Sequence, residues 1–381
     1  MNGLRDIVDS SVAHQLRVID TKAIYDPSPA EPLAPARWDW SNVRKVLLVR
    51  LRSIGDTVLS TPSLYALRRF LPHAQIDILV EDWVAPVLNG HPHVDNVVVL
   101  ERAGMISRAR VARQIRATGY DVVYNLHGGT TATFLTRATG ARHRVGLKTY
   151  QYAHLHNHQA PSPQQLWRQQ KAHSVEQQLA LLGWTGVPVT DRPRTHLAIT
   201  REAADVVNQQ LTEAGLENQK LALIHPAAAF ATKQWAAEKF ARVAASLAER
   251  GFAPVAIGGP RDHEVLKSLI DHAAIPITTL DLSLPEVSAL AARSQIFVGN
   301  DSGIAHIAAA VGTPSVVIFG SSNVAHWRPW NKTAAEVVFE EMPCQPCHGY
   351  FCEKFPQPEC ILRVPVERVV TAIDRILVHA D

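Results

Sequence analysis

A continuous apolar run, Val46 to Val49, stops at Arg50 and is followed by Gly55, Asp56 and a stretch in which Val58, Leu59, Leu64, Ala66 and Leu67 recur at roughly helical spacing. A β-rich run without polar alternation fits a strand buried on both faces, which implies a parallel sheet covered by helices. Strand, glycine-containing turn and helix is also the unit that places functional groups at the carboxyl edge of such a sheet. Asp56 falls in that turn or in the first residues of the helix. Two readings fit it. In the first, its carboxylate complements the helix dipole and bonds free amide N–H groups. In the second it is a general base facing the crevice, held by a turn that Gly55 permits.

The alternation continues. Ile76–Val80, Val97–Leu100, Val122–Asn125 and a strand beginning at Arg144 are separated by a short segment at Val84–Leu88 and by helical patterns around 106–117 and 132–138. This is the signature of a parallel sheet with helices on both sides. Residues 149–171 break it. Tyr150, Tyr152, His154, His156, His158, Trp167, Arg168 and Lys171 have no sustained period and read as a long loop, either a contact surface for a polar anionic acceptor or plain surface. After a helix at 173–182 and a hinge-like stretch at 183–193, alternation resumes near Leu197. Strands are expected at 221–224, 254–257, 277–280, 296–298 and 314–319, and Gly251 is expected to end a helix.

At 381 residues the chain exceeds one ordinary core, and two alternating blocks match roughly two domains. A net charge of +3 gives no argument for a nucleic-acid partner. No run approaches the ~20 apolar residues that span a bilayer, and Asp6 and Asp9 stand where a signal peptide needs a cationic then apolar run, so a cytoplasmic protein is expected. Leu4, Ile7, Val8, Val12, Leu16 and Ile19 have the spacing of a docking helix in an N-terminal extension, and 26–35 reads as a Pro-rich connector.

In the second block, Gly299–His306 ends a buried strand and opens a helix through small or polar residues. Free N–H groups at that helix start form an anion site, flanked by Asp301 and His306. His225-Pro226 and a small-residue loop ending Thr232-Lys233-Gln234-Trp235 follow another strand, and Gly258–Asp262 turns into a helix carrying Glu264. Neither block has G-x-G-x-x-G after a strand, which disfavours a dinucleotide dehydrogenase, and there is no Walker A sequence.

The Arg50–Pro62 turn, His225-Pro with Lys233-Gln-Trp, Gly258–Glu264, Asp301–His306 and the Cys-rich tail together resemble glycosyltransferase family 9, the bacterial lipopolysaccharide heptosyltransferases, in order over about residues 43–380. The resemblance implies the α/β GT-B architecture: two Rossmann-like domains with parallel sheets facing a central cleft. It divides the chain into an extension (1–42), an acceptor domain (43–195), a donor domain (196–363) and a C-terminal helix (364–381). By position it makes Asp56 the catalytic base, Lys233 the diphosphate-binding lysine, Glu264 the ribose-holding acid, and Asp301, Ser302, Gly303 and His306 the donor-binding turn. It implies inverting transfer of a heptose from an ADP-activated donor to a lipid-linked saccharide acceptor, with no metal and no cofactor, and peripheral contact with the inner membrane. One departure stands out. Where the family often places Thr or Ser before the lysine, this chain has Ala227, Ala228 and Ala229, leaving hydroxyl contacts to the diphosphate missing or supplied by Thr232.

The chemistry suits these residue types. Inverting transfer needs a base on the acceptor hydroxyl, opposite the leaving group, and a positive field on the departing diphosphate. Arg50 and Arg52 fit either an acceptor phosphate or carboxylate or a solvated surface. A family member using another nucleotide sugar, a non-catalytic sugar-nucleotide binder and a non-hydrolysing nucleotide-sugar epimerase are the alternatives. Cys344, Cys347, Cys352 and Cys360 are spaced either for a zinc site or as reduced or paired thiols beyond the cleft.

Overall fold

The strand expected after Lys45 forms, and its neighbours arrange around it as its two buried faces require. The computed structural model describes residues 29–378, apart from 103, 332, 348 and 349. The helix expected over residues 4–19 lies outside them. The first block comprises β1 (Lys45–Val49), α1 (Ile54–Val58), α2 (Thr61–Phe70), β2 (Gln75–Glu81), β3 (Asn96–Leu100), α3 (Gly104–Thr118), β4 (Val122–Asn125), α4 (Thr130–Ala138), β5 (His143–Leu147), β6 (His158–Ala160), α5 (Pro163–Trp167) and α6 (Ser174–Gly183). Its six strands pair in parallel in the order β3-β2-β1-β4-β5-β6.

The second block comprises α7 (Arg201–Glu213), β7 (Lys220–His225), α8 (Ala237–Glu249), β8 (Phe252–Ile257), α9 (His263–Asp271), β9 (Thr278–Leu280), α10 (Leu284–Arg293) and β10 (Ile296–Asn300). It continues with α11 (Gly303–Ala310), β11 (Ser315–Phe319), α12 (Val324–Trp327), β12 (Ala335–Phe339), α13 (Glu359–Leu362) and α14 (Val366–Val378). This sheet is also parallel, ordered β12-β11-β10-β7-β8-β9. Read from β9, it repeats the first sheet's order, so each sheet reverses direction once, between β1 and β4 and between β7 and β10. In such sheets, ligands bind outside the carboxyl ends of the strands at those reversals.

Residues 149–171 are not the long loop that their composition suggests. They contain edge strand β6, paired with β5, and α5, whose start is capped by Ser162 accepting from the Gln165 amide. A short strand with one neighbour needs only one buried residue, here Ala160, so it leaves little apolar periodicity to read. The 29–42 segment is strapped to the first domain: Leu33 N–H donates to the Gly183 carbonyl, Trp40 Nε1 to that of Thr185, and Trp38 stacks on His143.

The two domains meet along a seam with buried imidazoles. His173 caps α6 by accepting the Val175 N–H at Nδ1, and its Nε2 donates to the Arg328 carbonyl of the second domain at 2.8 Å, which fixes a neutral ring. Burial first, then neighbouring cations, pushes His173 down to about 3, and burial beside His93 and His196 does the same to His91. In the unfolded chain both rings take up a proton near the ordinary ~6.5; the folded seam resists protonation until about pH 3. Their contribution is therefore complete above about pH 6.5 and is lost progressively as pH falls below it. At about 1.4 kcal/mol per pKa unit, the two rings together are worth on the order of several kcal/mol. The urea midpoint is expected to drop clearly between pH 8 and pH 5; an unchanged midpoint would mean that the rings are protonated in the folded protein.

Candidate active site

Asp56 is the third residue of α1, directly after the β1 turn. Its Oδ2 accepts from the Ser53 N–H at 3.1 Å and from the Ser53 hydroxyl at 3.2 Å, the bonds of a helix start. Its Oδ1 is paired with the Arg50 guanidinium. Burial favours the neutral acid, but Arg50 and the Ser53 donors outweigh it and hold the carboxyl below its ordinary range. Asp56 is therefore ionised at neutral pH, as a base must be, and it also helps cap its helix.

Arg50 spans two reversal-point loops. It binds Asp56 through one terminal nitrogen and the Leu126 carbonyl through the other, with its side chain only 11% exposed. The structure thus joins Arg50 to the base, whereas Arg52 is exposed. The sequence reading missed His127, which follows β4 at the same reversal. Its backbone N–H and that of Gly128 both donate to Asn125 Oδ1, and the buried Asn125 side chain is held in turn by Thr133 and His156. His127 Nδ1 is buried without a partner, and the ring is pushed down to about 4, chiefly by burial and then by Arg50. It is a neutral imidazole near the candidate base. Its position after a recognised strand was the available signal.

Opposite stands the second domain's reversal. Buried Asn300 ends β10 and ties the two loops there, accepting from the Trp235 N–H and donating to the Pro226 carbonyl. That bridge sets Lys233 beside Asp301, Nζ to Oδ2 2.8 Å, with the lysine 22% and the aspartate 4% exposed. Ser302 is the N-cap of α11 and its hydroxyl lies 3.3 Å from His225 Nδ1. The first amide N–H groups of α11 have no carbonyl partner within the helix. Glu264 stands apart, exposed in the first turn of α9 after β8.

The two half-sites touch through glycines. A Cβ added at Gly55 would lie 2.6 Å from His306 Cδ2, and one added at Gly303 would lie 2.7 Å from Ile54 Cβ. Both contacts are far inside van der Waals range, so α1 and α11 approach this closely only because neither position has a side chain. His306 is thereby buried next to the residue that precedes Asp56, with its Nδ1 unpartnered. Burial lowers its pKa, against the pull of Asp301 and Asp56. Of the residues singled out in the sequence, Arg50, Asp56, Lys233, Asp301, Ser302, Gly303 and His306 are brought together.

Similarity to known proteins gives the family. Residues 108–355 match the family described as "Glycosyltransferase family 9 (heptosyltransferase)". The chain belongs to glycosyltransferase family 9. It is 28% identical to lipopolysaccharide heptosyltransferase 3 of Escherichia coli over 351 residues, covering 86% of this chain and 97% of that one. Its fold matches a family 9 glycosyl transferase from Veillonella parvula, with a TM-score of 0.76 and 24% identity, over 88% of this chain and 97% of that one. It also matches the E. coli ADP-heptose LPS heptosyltransferase II, with a TM-score of 0.71 and 21% identity, over 88% and 99%. This family 9 glycosyltransferase therefore has the GT-B fold.

The cysteine segment packs against the Lys233 turn and the loop after β11: Cys347 N–H donates to the Ser321 carbonyl, Gln345 Nε2 to that of Gly320, and Ser321 Oγ to Thr232 Oγ1. All four cysteines are unpaired and line one cavity of about 450 Å³ with Thr232. Burial and the other three thiols push Cys360 up to about 11. Among the described residues no three His, Cys, Asp or Glu side chains are arranged as a metal ligand set. Thr232 is buried against this segment.

Proposed function

We propose that this chain is an inverting heptosyltransferase that moves a heptose from an ADP-linked donor to a lipopolysaccharide core or related lipid-linked acceptor. The observation that carries the reading is the pairing across the cleft: an ionised carboxylate, Asp56, in one domain faces a cation and a helix start, Lys233 and α11, in the other. Asp56 takes the proton of the acceptor hydroxyl as its oxygen bonds to the anomeric carbon. The bond from that carbon to the diphosphate oxygen breaks on the opposite face. The electron pair leaves with the nucleoside diphosphate, whose charge is met by Lys233 Nζ and the N–H groups of Ser302, Gly303 and Ile304. Glu264 holds the ribose, while Arg50 positions Asp56 and, with Arg52, contributes to acceptor binding. Since Thr232 is buried behind the turn and Ala227–Ala229 lack hydroxyls, the diphosphate depends on the lysine and the amides. The donor and acceptor follow the named activities of the similar proteins, including an E. coli lipopolysaccharide heptosyltransferase and an ADP-heptose LPS heptosyltransferase, and an inner-membrane setting would follow from the lipid-linked acceptor.

The test is transfer from ADP-heptose to a core acceptor followed by mass spectrometry, with calorimetric titration of ADP, UDP and GDP. Added heptose and preference for ADP are expected. Preference for another base would shift the reading to a transferase using a different donor, and nucleotide binding without transfer to any acceptor would favour a non-catalytic binder. Metal-dependent transferases hold the ion between carboxylates and phosphate. This chain has no Asp-x-Asp pair in the loops that carry Lys233 and Asp301. Transfer is expected to persist in EDTA; loss of turnover that Mg²⁺ restores, with an unchanged circular dichroism spectrum, would refute lysine-and-amide stabilisation.

A further inference from the structure

The first domain carries a surface that its core does not use. Helices α3 and α4 cover the same face of the first sheet, and α3 buries only a single stripe there, Ser107, Val111 and Ile115. Its other sides are exposed and carry Arg108, Arg110, Arg113 and Arg116, with no acidic residue in either helix. Arg110 has one acidic neighbour, Glu101, at 3.6 Å with both side chains open to solvent. In the first turn of α3, Met105 is 82% and Ile106 78% exposed. On α4, Phe134 is exposed and its ring lies 5.6 Å from that of Tyr152, which is also exposed. Large apolar side chains on helices that also carry arginines, with no covering element among the described residues, mark an interaction surface.

We propose that this α3–α4 surface docks the enzyme on an anionic lipid bilayer. A helix with cationic sides and an apolar tip suits the headgroup boundary, where Met105, Ile106 and Phe134 reach past the phosphates and the arginines pair with them. A folded protein partner would more commonly cover an apolar patch of low charge, whereas this patch is interleaved with arginine. The position fits the reaction too. Since α3 and α4 follow β3 and β4, their first turns lie at the carboxyl edge of the sheet, the same edge that bears Asp56 and His127. A bilayer on that rim keeps an acceptor's lipid anchored while its saccharide enters the cleft. In this respect the inference rests on the lipid-linked acceptor proposed above.

The experiment is co-sedimentation of the full-length protein with vesicles of phosphatidylcholine alone or mixed with phosphatidylglycerol. Binding is expected only to the mixed vesicles, and to fall at least about tenfold when salt shortens the screening length from about 10 Å to about 3 Å. The double variants Met105→Asp/Ile106→Asp and Arg108→Glu/Arg113→Glu are each expected to lose binding about tenfold or more, with unchanged melting temperature. Each should keep parental transfer to a water-soluble, delipidated acceptor, since none of these four residues belongs to the catalytic machinery. Equal binding to neutral vesicles, or variants that sediment like the parent, would overturn the proposal; the latter would place any membrane contact elsewhere in the chain. Retention on heparin without vesicle binding would also overturn it, pointing to another polyanion. Vesicle binding and transfer are read separately, so absence of transfer to every acceptor would count against the transferase reading while leaving the docking result standing.

Discussion

Asp56→Asn is expected to reduce glycosyl transfer about 10²- to 10⁴-fold while leaving the titration of nucleoside diphosphate unchanged. The substitution keeps the size of the side chain and removes its basicity, and the proposed donor site lies in the other domain. Because Arg50 and the Ser53 donors hold the carboxyl below its ordinary range, Asp56 stays ionised as pH is lowered toward the acid side. The acid limb of the parent's rate profile is therefore expected below the usual carboxylate region, and raising pH above it should add no further base. Two controls separate chemistry from folding. The melting temperature should fall, since Arg50, only 11% exposed, loses its counter-ion and keeps the Leu126 carbonyl alone, so circular dichroism at the assay temperature must show the variant folded. Arg50→Ala should shift the acid limb upward, because burial then acts on Asp56 unopposed by its principal cation. Transfer by the Asp56→Asn variant within twofold of the parent would remove Asp56 from the role of base.

The second large effect is expected at Lys233. A charge-assisted contact to a diphosphate contributes about 1.5 to 3 kcal/mol, so Lys233→Ala should weaken ADP binding by roughly 10- to 150-fold while adenosine binds as before. The pairing with Asp301 adds a distinction. Truncating the lysine strands a carboxylate that is only 4% exposed, and that negative charge then faces the incoming phosphates. Asp301→Asn placed on top of Lys233→Ala should therefore recover part of the lost affinity. Coincident ADP titrations for Lys233→Ala and the parent would show that the lysine does not meet the diphosphate.

Much of the scaffold was readable from local pattern. β1, β4, β7 and β10 are buried on both faces, so their apolar runs carry no competing polar signal, and the turns after them follow directly. Segments with one buried face were harder: β6 and α5 lie in a stretch of His, Gln and Pro in which burial falls on isolated residues such as Ala160 and Pro163. Within the site, the residue types of Asp56, Lys233 and Asp301 were informative, but their partners were not. Arg50 looks like any arginine after a strand, and only the return of β4 beside β1 shows that it bridges Leu126 and Asp56. The proximity of His306 to Gly55 joins residues far apart in the chain through two helix packings, and no local period records it.

The glycine contact between α1 and α11 has a mutational consequence. The two helices rest against each other at Gly55 and Gly303 with no room for even a methyl group, so Gly55→Ala would wedge the halves apart while leaving Asp56, Lys233 and Asp301 in place. Turnover would then fall with every polar group of the two half-sites still present, and no excess of substrate would restore it.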